Sequence, residues 1–220
     1  MTRFGRWWRR VLVFWFLGSA SFAVQAHPHA WIYVGTTFLM SQEGYITAIS
    51  QNWNYDNLLT EILLDELTQD GSGQALDLTE WAADTLQKLQ PFGYFLQVKA
   101  AGKKVGLGDL VQYEGALEDE VLKLRFTVLL DPPVYAAQPI ELAVFDPSFY
   151  IEILQHPELP AQVQGDSVLT CELSLEYPEP STEDFLRAAA IDSGMKVEPQ
   201  FGALFAETVH LQCQEPSRLK

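Results

Sequence analysis

The sequence predicts an α+β fold, a mainly antiparallel β-sandwich that carries an inserted α-hairpin and one further short helix. Three observations lead to this class. Many short apolar stretches of strand length are separated by turn residues, two helical patterns lie together between positions 56 and 92, and a third helical pattern begins at Ser181. Many short strands with turn signals and only a few helices are typical of a sandwich with helical additions.

The first predicted elements form a β-hairpin. Residues 30–40 and 45–55 are rich in β-branched and aromatic residues with rough alternation, and Ser41–Gly44 lies between them. This pattern is typical of two strands joined by a short turn.

Two short helices are predicted next, together forming an α-hairpin. Asp56 or Asn57 can cap the first helix, and the Asp77–Glu80 segment opens the second, which ends before Pro91. Each segment places its apolar residues on one side, at Leu58, Leu59, Ile62, Leu63 and Leu67 in the first and at Trp81, Ala82, Leu86 and Leu89 in the second.

After Gly93 the pattern returns to strands. A short helix capped by Ser181–Asp184 is expected before the last strand, and it should end near Gly194. The predicted strands cover residues 94–100, 110–114, 121–130, 140–145, 150–154, 168–175 and 208–213.

The first 26 residues are typical of a secretory signal peptide. Four arginines up to Arg10 precede an apolar run, Val11–Leu17, and the segment ends in small residues at Val24–Ala26. Because the apolar run is shorter than a membrane span of about 20 residues, we expect cleavage after Ala26 rather than a permanent anchor. Residues 27–220 would then form a single periplasmic domain, with residues 56–92 as its helical insertion.

The charge balance excludes some classes of partner. The chain of 220 residues has 29 acidic and 14 basic residues, a formal net charge of −15. A surface without a basic stripe disfavours binding to nucleic acids or to anionic lipid. Cations, or a basic patch on another protein, are the better match.

Cys171 and Cys213 are the only two cysteines. In an exported protein an even pair of cysteines predicts a disulfide. In the chain-entropy model, closing a loop of this length contributes about 4 kcal/mol to stability.

Two of the four histidines, His27 and His29, stand at the start of the expected mature chain. Neutral imidazole is the commonest protein ligand for zinc, copper and nickel, and a free α-amino group can add a further nitrogen. In an extended strand, residues i and i+2 point to one side, so both rings can reach one ion. Pro28 has no amide hydrogen to lose, which excludes the square-planar amino-terminal motif. His27 and His29 are therefore the first candidate metal ligands.

Further ligands could complete a four-coordinate site, and the candidates are Asp146, His156 and His210. Asp146 belongs to an Asp-Pro turn in which Phe149 and Tyr150 should pack inward, and it could also orient a metal ligand. The Thr68–Gly73 segment resembles part of an EF-hand loop, but Glu80 falls one position beyond the required twelfth residue. We interpret that segment as a Gly-rich connector between the two helices.

Five features occur in a characteristic order, at Ala26–Ile32, Trp53–Asp56, the helix–Gly-rich loop–helix, Pro91–Phe95 and Phe145–Tyr150. Together they resemble a family of exported bacterial proteins that is classed as a domain of unknown function and is often labelled a periplasmic component of an ABC-type transport system. Members of that family are typically encoded beside a nickel/cobalt-type permease, and one branch is associated with zinc uptake. The resemblance implies a periplasmic accessory to transition-metal transport, with His27 and His29 as the first metal contacts and Asp146 as a further candidate.

Together these observations predict a non-enzymatic accessory protein that binds zinc, or alternatively nickel, cobalt or copper. The protein would exchange the bound metal with an inner-membrane permease. Two other functions stay open. One is a structural assembly partner of a membrane protein that binds no metal, and the other is a copper monooxygenase built on an N-terminal histidine brace.

Overall fold

The computed structural model describes residues 30–68, 77–191, 197–198 and 200–216, which form two β-sheets and three α-helices. The helices are α1 (Asn57–Thr68), α2 (Leu78–Leu89) and α3 (Thr182–Ala189), and 3-10 turns occupy Gln90–Phe95 and Phe201–Phe205. The strands are β1 (Ala30–Met40), β2 (Tyr45–Tyr55), β3 (Leu96–Ala100), β4 (Lys103–Lys104), β5 (Gly106–Glu118), β6 (Val121–Tyr135), β7 (Ile140–Val144), β8 (Ile151–Gln155), β9 (Gln162–Gln164), β10 (Thr170–Glu176) and β11 (Thr208–Gln214).

The first sheet has the strand order β5-β6-β2-β1-β8, and β9 also pairs with β1. The predicted hairpin is confirmed, because β1 and β2 pair antiparallel with Phe38 opposite Ile49. The pairings of β1 with β8 and with β9 are parallel, with Ala30 opposite Ile151 in the first. The first strand of the fold is therefore bordered by strands from the second half of the chain.

The second sheet has the order β10-β11-β7-β3-β4, and its pairings are all antiparallel. Cys171 of β10 lies directly opposite Cys213 of β11, and the two sulfur atoms are bonded at 2.09 Å. The predicted disulfide is thus confirmed, and it joins the edge strand to its neighbour.

One hydrophobic core joins the two sheets. Alternate residues of β1, such as Val34 and Phe38, are fully buried beside Trp53 of β2. The second sheet adds Leu142 and Leu211 to the same cluster. Alternation between buried and half-buried positions in β1 follows from the two-residue period of a strand, which is why the sequence pattern predicted these elements. The α+β class with two mainly antiparallel sheets is confirmed.

Helices α1 and α2 lie between β2 and β3, where the insertion was predicted. The Asp77 side chain accepts hydrogen bonds from the Thr79 and Glu80 amides and so caps α2. α2 packs on β5, where a Cβ atom added to Gly115 would lie 2.1 Å from the Leu78 carbonyl oxygen. Glycine at position 115 is therefore what lets the helix approach the strand so closely.

Helix α3 begins as predicted but ends earlier. Ser181 and Asp184 form a reciprocal capping box at its start. The helix stops at Ala189 rather than near Gly194, because Ile191 leaves the helical path to pack on the aromatic cluster of Phe149, Phe201 and Phe205. Gly194 itself lies outside the described residues.

Within the described part of the chain, no helix is both long enough and apolar enough to cross a membrane.

Candidate functional site

The start of β1 is bound to the junction between β2 and α1. The Trp31 amide donates to Asp56 Oδ2 at 2.6 Å, and the Asp56 amide donates back to the Trp31 carbonyl at 3.0 Å. The other Asp56 oxygen accepts from the Leu59 amide at 2.9 Å, which caps α1. One carboxylate therefore holds the first residues of β1 and the first turn of α1 together.

Two further carboxylates lie on the other side of this strand. The Trp31 indole Nε1 donates to Glu152 Oε2 of β8 at 2.7 Å. Glu207, which precedes β11, is buried and accepts a hydrogen bond from the Gln155 amide. Burial raises the pKa of the Glu207 carboxyl, and the nearby charge of Glu152 raises it further against the lowering effect of the Gln155 amide.

Asp146 organises the turn that leads into β8. Its two oxygens accept from the amides of Ser148, Tyr150 and Ile151 and from the Ser148 hydroxyl, at 2.8 to 3.1 Å. This arrangement holds Phe149 in the left-handed region at φ 57°. Phe149 packs inward as predicted, but the inward placement of Tyr150 is wrong, because Tyr150 is 45% exposed.

His156 follows β8 and caps the next turn. Its ring Nδ1 accepts from the Glu158 amide at 3.1 Å, and the ring meets Tyr33 edge to face. With Nδ1 as acceptor, the neutral ring carries its proton on Nε2, so neither nitrogen offers a free lone pair in this arrangement. Binding a metal through His156 would require the loss of the Glu158 hydrogen bond.

His210 lies on β11 in the second sheet, away from the start of β1. Its Nε2 contacts Glu176 Oε2 on the neighbouring strand at 2.8 Å. His156 and His210 thus belong to different sheets, and each has a local partner.

The first candidate ligands, His27 and His29, lie outside the described residues, and so does the EF-hand-like stretch from Gln69 to Gly73. Across residues 30–68, 77–191 and 200–216, no group of three or more histidine, cysteine, aspartate or glutamate side chains is arranged to hold a metal. His27 and His29 stay the candidate ligands at the start of β1.

A cleft of about 690 Å³ opens beside the start of β1. We call it the β1 cleft. Its residues include aromatic, amide and acidic side chains, at Trp31, Tyr33, Asn54, Asp119, His156 and Glu158.

A salt-bridge network forms one edge of the β1 cleft. Glu118 Oε2 contacts Lys123 Nζ at 2.9 Å and an Arg125 guanidinium nitrogen at 2.6 Å. Hydrogen bonds from Arg125 and then from Lys123 lower the pKa of Glu118 to about 2. Arg125 also contacts Glu114 at 3.3 Å, so the two cations are balanced by two acids of the same sheet.

Similarity to a family profile identifies the family. The profile described as "Protein of unknown function (DUF1007)" matches residues 12–213. The chain belongs to the DUF1007 family. An uncharacterized protein of Haemophilus influenzae (strain ATCC 51907 / DSM 11121 / KW20 / Rd) is 23% identical over 201 residues, which cover 88% of this chain and 94% of that protein. The resemblance to a family of unknown function is thus confirmed at the level of the DUF1007 family.

Sequence reasoning missed Asp56, Glu152 and Glu207 as members of this region. Asp56 was expected only as a helix cap, and its contact with Trp31 spans 25 positions of sequence. A local signal existed for Glu207, a lone acid between the apolar Phe205-Ala206 pair and the last strand. No local signal exists for the pairing of Trp31 with Glu152, which depends on the parallel contact of β1 and β8.

Proposed function

We propose that the chain is a non-enzymatic periplasmic accessory of transition-metal transport. It binds a divalent ion, zinc before nickel or cobalt, and exchanges that ion with an inner-membrane permease of the nickel/cobalt type. The ion is cargo rather than a resident cofactor. His27 and His29 are the proposed nitrogen ligands, and Asp146 and His156 remain secondary candidates. His210 contacts Glu176 in the second sheet and is left out of the proposed site.

The observation that carries this proposal is the acidic surrounding of the start of β1. In the sequence, His29 directly precedes Ala30, the first residue of β1. The next residue, Trp31, is hydrogen-bonded to the carboxylates of Asp56 and Glu152. Imidazole nitrogens beside fixed carboxylates are a donor set that suits zinc, nickel and cobalt.

The overall charge supports capture of cations. A net charge of −15 creates a field that raises the local concentration of positive ions at the surface. The candidate nitrogen ligands add affinity for transition metals that carboxylates alone lack.

Two features support the proposed location. The first 26 residues have the pattern of a signal peptide. The bonded pair Cys171–Cys213 is typical of proteins in an oxidising compartment such as the bacterial periplasm.

The test is a zinc titration of the exported protein against a competing chelator. We expect His27→Ala and His29→Ala each to weaken zinc binding at least tenfold with an unchanged circular dichroism spectrum. His210→Ala is the matched control, because it removes an imidazole whose partner is Glu176 in the other sheet.

Equal affinity of the wild type and both N-terminal variants would remove His27 and His29 from the site. Absence of zinc, nickel and cobalt binding to the wild type would favour the alternative function, a metal-free assembly partner of a membrane protein. Copper-dependent oxidation of a substrate by the exported protein would instead favour the monooxygenase.

A further inference from the structure

The β1 cleft is lined by a buried amide whose oxygen has no hydrogen-bond donor among the described residues. Asn54 of β2 is only 7% exposed, and its Oδ1 atom makes no hydrogen bond within the described residues. It lies between Tyr33 of β1 and Lys123 of β6 in the sheet register, on the face that lines the cleft. Buried amides in folded proteins normally have partners, so an unpartnered one at a cleft indicates a group that is supplied from outside.

The side-chain amide of asparagine can pair with a peptide group through two hydrogen bonds. Its oxygen accepts from an N–H and its nitrogen donates to a carbonyl. Asn54 can therefore bind the backbone of an extended segment that enters the cleft.

The negative charge at the rim of the cleft favours a ligand with a cationic side chain. Asp119 and Glu158 are exposed acids at its rim, and neither carboxylate has a partner within the described residues. Asp119 is held in place by the turn between β5 and β6, where its φ is 53°. Lys123 does not oppose this selection, because Glu118 already neutralises it.

The aromatic side chains that line the cleft favour arginine over lysine as this cationic residue. Trp31 and Tyr33 are two positions apart in β1, so their side chains lie on the same face of the strand, and both line the cleft. A guanidinium group stacks on aromatic rings and donates to several acceptors at once, whereas an ammonium group is a more strongly hydrated point charge.

Exposed apolar side chains at the rim indicate a protein rather than a small molecule. Leu58 at the start of α1 is 55% exposed and Leu159 after β8 is 39% exposed, and both line the cleft. In protein interfaces the strongest contacts are surrounded by residues that exclude water, and exposed apolar side chains at the rim of the cleft can do this.

We propose that the β1 cleft binds an arginine-bearing segment of a partner polypeptide. The guanidinium enters between Trp31 and Tyr33 and meets Asp119 and Glu158, and Asn54 binds the backbone beside it. This interaction does not depend on metal binding and goes beyond the proposed transport role.

The experiment uses a display library of random dodecapeptides selected on the full chain in the presence of EDTA, which removes any contribution from metal. We expect selected peptides to be enriched in arginine flanked by apolar residues. The strongest peptide is then synthesised with arginine, lysine or citrulline at the enriched position, citrulline being the uncharged near-isostere of arginine. We expect citrulline to weaken binding at least tenfold and lysine to weaken it less.

Two variants and a matched control locate the interaction. Asp119→Asn with Glu158→Gln removes two charges at exposed positions and should weaken binding at least tenfold, and Asn54→Leu should weaken it at least fivefold. Asp166→Asn with Glu172→Gln removes the same charge from exposed positions outside the cleft and should leave binding within twofold.

Several results would overturn the proposal. These are no enrichment of arginine, equal binding of the citrulline peptide, or equal losses in the cleft variant and the control variant. Binding of arginine amide as tightly as the full peptide would refute the polypeptide partner. Because metal is absent throughout, none of these outcomes bears on zinc binding by His27 and His29.

Discussion

At the scale of single residues, buried and half-buried carboxylates determine how the start of β1 and the turn before β8 are held. Backbone amides of other elements or of a strained turn donate hydrogen bonds to three of these carboxylates, Asp56, Asp146 and Glu207. A carboxylate that accepts several N–H groups satisfies donors that would otherwise be left unpaired. The stability of this end of the molecule therefore depends on a few acids.

The first prediction concerns Asp146. Asp146→Ala leaves the Ser148, Tyr150 and Ile151 amides without their acceptor and should lower the free energy of unfolding by about 3 kcal/mol. Ser148→Ala removes only the hydroxyl contact and should cost about 1 kcal/mol. Urea denaturation of both variants provides the measurement, and equal costs would contradict the role of the backbone contacts.

The second prediction concerns the pH dependence that Glu207 causes. Its folded pKa lies above the unfolded value, so the folded state keeps the proton to higher pH and stability falls as pH rises through that interval. Glu207→Gln keeps an acceptor for the Gln155 amide without the charge. We expect the variant to gain stability relative to the wild type as pH rises from 4 to 7.

Urea midpoints at pH 4, 5.5 and 7 check this prediction for Glu207. A constant difference between the two proteins across the series would show that the carboxylate titrates alike in the folded and unfolded states.

At the scale of elements, local patterns were sufficient for most of the fold. The alternation in β1 and β2 and the caps Asp77 and Ser181 predicted their elements to within about two residues of the observed starts. β5 is longer than predicted, because its glycines and charged residues weaken the strand pattern and pairing with β6 outweighs that preference. Strand propensity depends on neighbouring residues in the sequence, whereas strand pairing depends on residues far away in the chain.

The same limit applies to the candidate site. The Asp-Pro turn was recognisable because the hydrogen bonds that the Asp146 side chain accepts all come from within five positions of it. The β1 cleft was not, because it combines residues of β1, β2 and the loop after β8 that no spacing rule relates. Whether His27 and His29 bind metal stays a prediction.

The third prediction tests the packing of α2 on β5. Gly115→Ala places a methyl group against the Leu78 carbonyl and should cost about 3 kcal/mol through overpacking. Gly108→Ala in the same strand is the matched control. Its nearest contact would be the Leu129 side chain at 3.3 Å, so its cost should be below about 1 kcal/mol. Thermal unfolding compares the two, and similar melting temperatures would contradict the close approach.

At the scale of the whole molecule, one hydrophobic core holds the two sheets together. The buried cluster draws residues from both sheets, while the disulfide lies within the second sheet alone. The disulfide therefore restrains the edge strand β10 rather than the contact between the sheets.

The fourth prediction concerns that disulfide and the expected leader. Mass spectrometry of the exported protein should show loss of residues 1–26 and of two hydrogens, as expected for a start at His27 and a Cys171–Cys213 bond. Replacing both cysteines by serine should lower the free energy of unfolding by about 2–4 kcal/mol. A mass that retains Arg10, or two thiols that alkylate under native conditions, would contradict the prediction.

The position of β1 within its sheet also governs the order in which the polypeptide can acquire structure. Trp31 contacts Glu152, 121 positions later in the chain, and β1 cannot gain its parallel neighbours until residues 151–164 have been made. Strand pairings across such a separation form slowly, because a long loop must close, and lose conformational entropy, before any contact can compensate for that loss. For most of its synthesis the nascent chain thus presents one side of its first strand without its parallel backbone partners, and such an unpaired edge is a template for pairing with another chain.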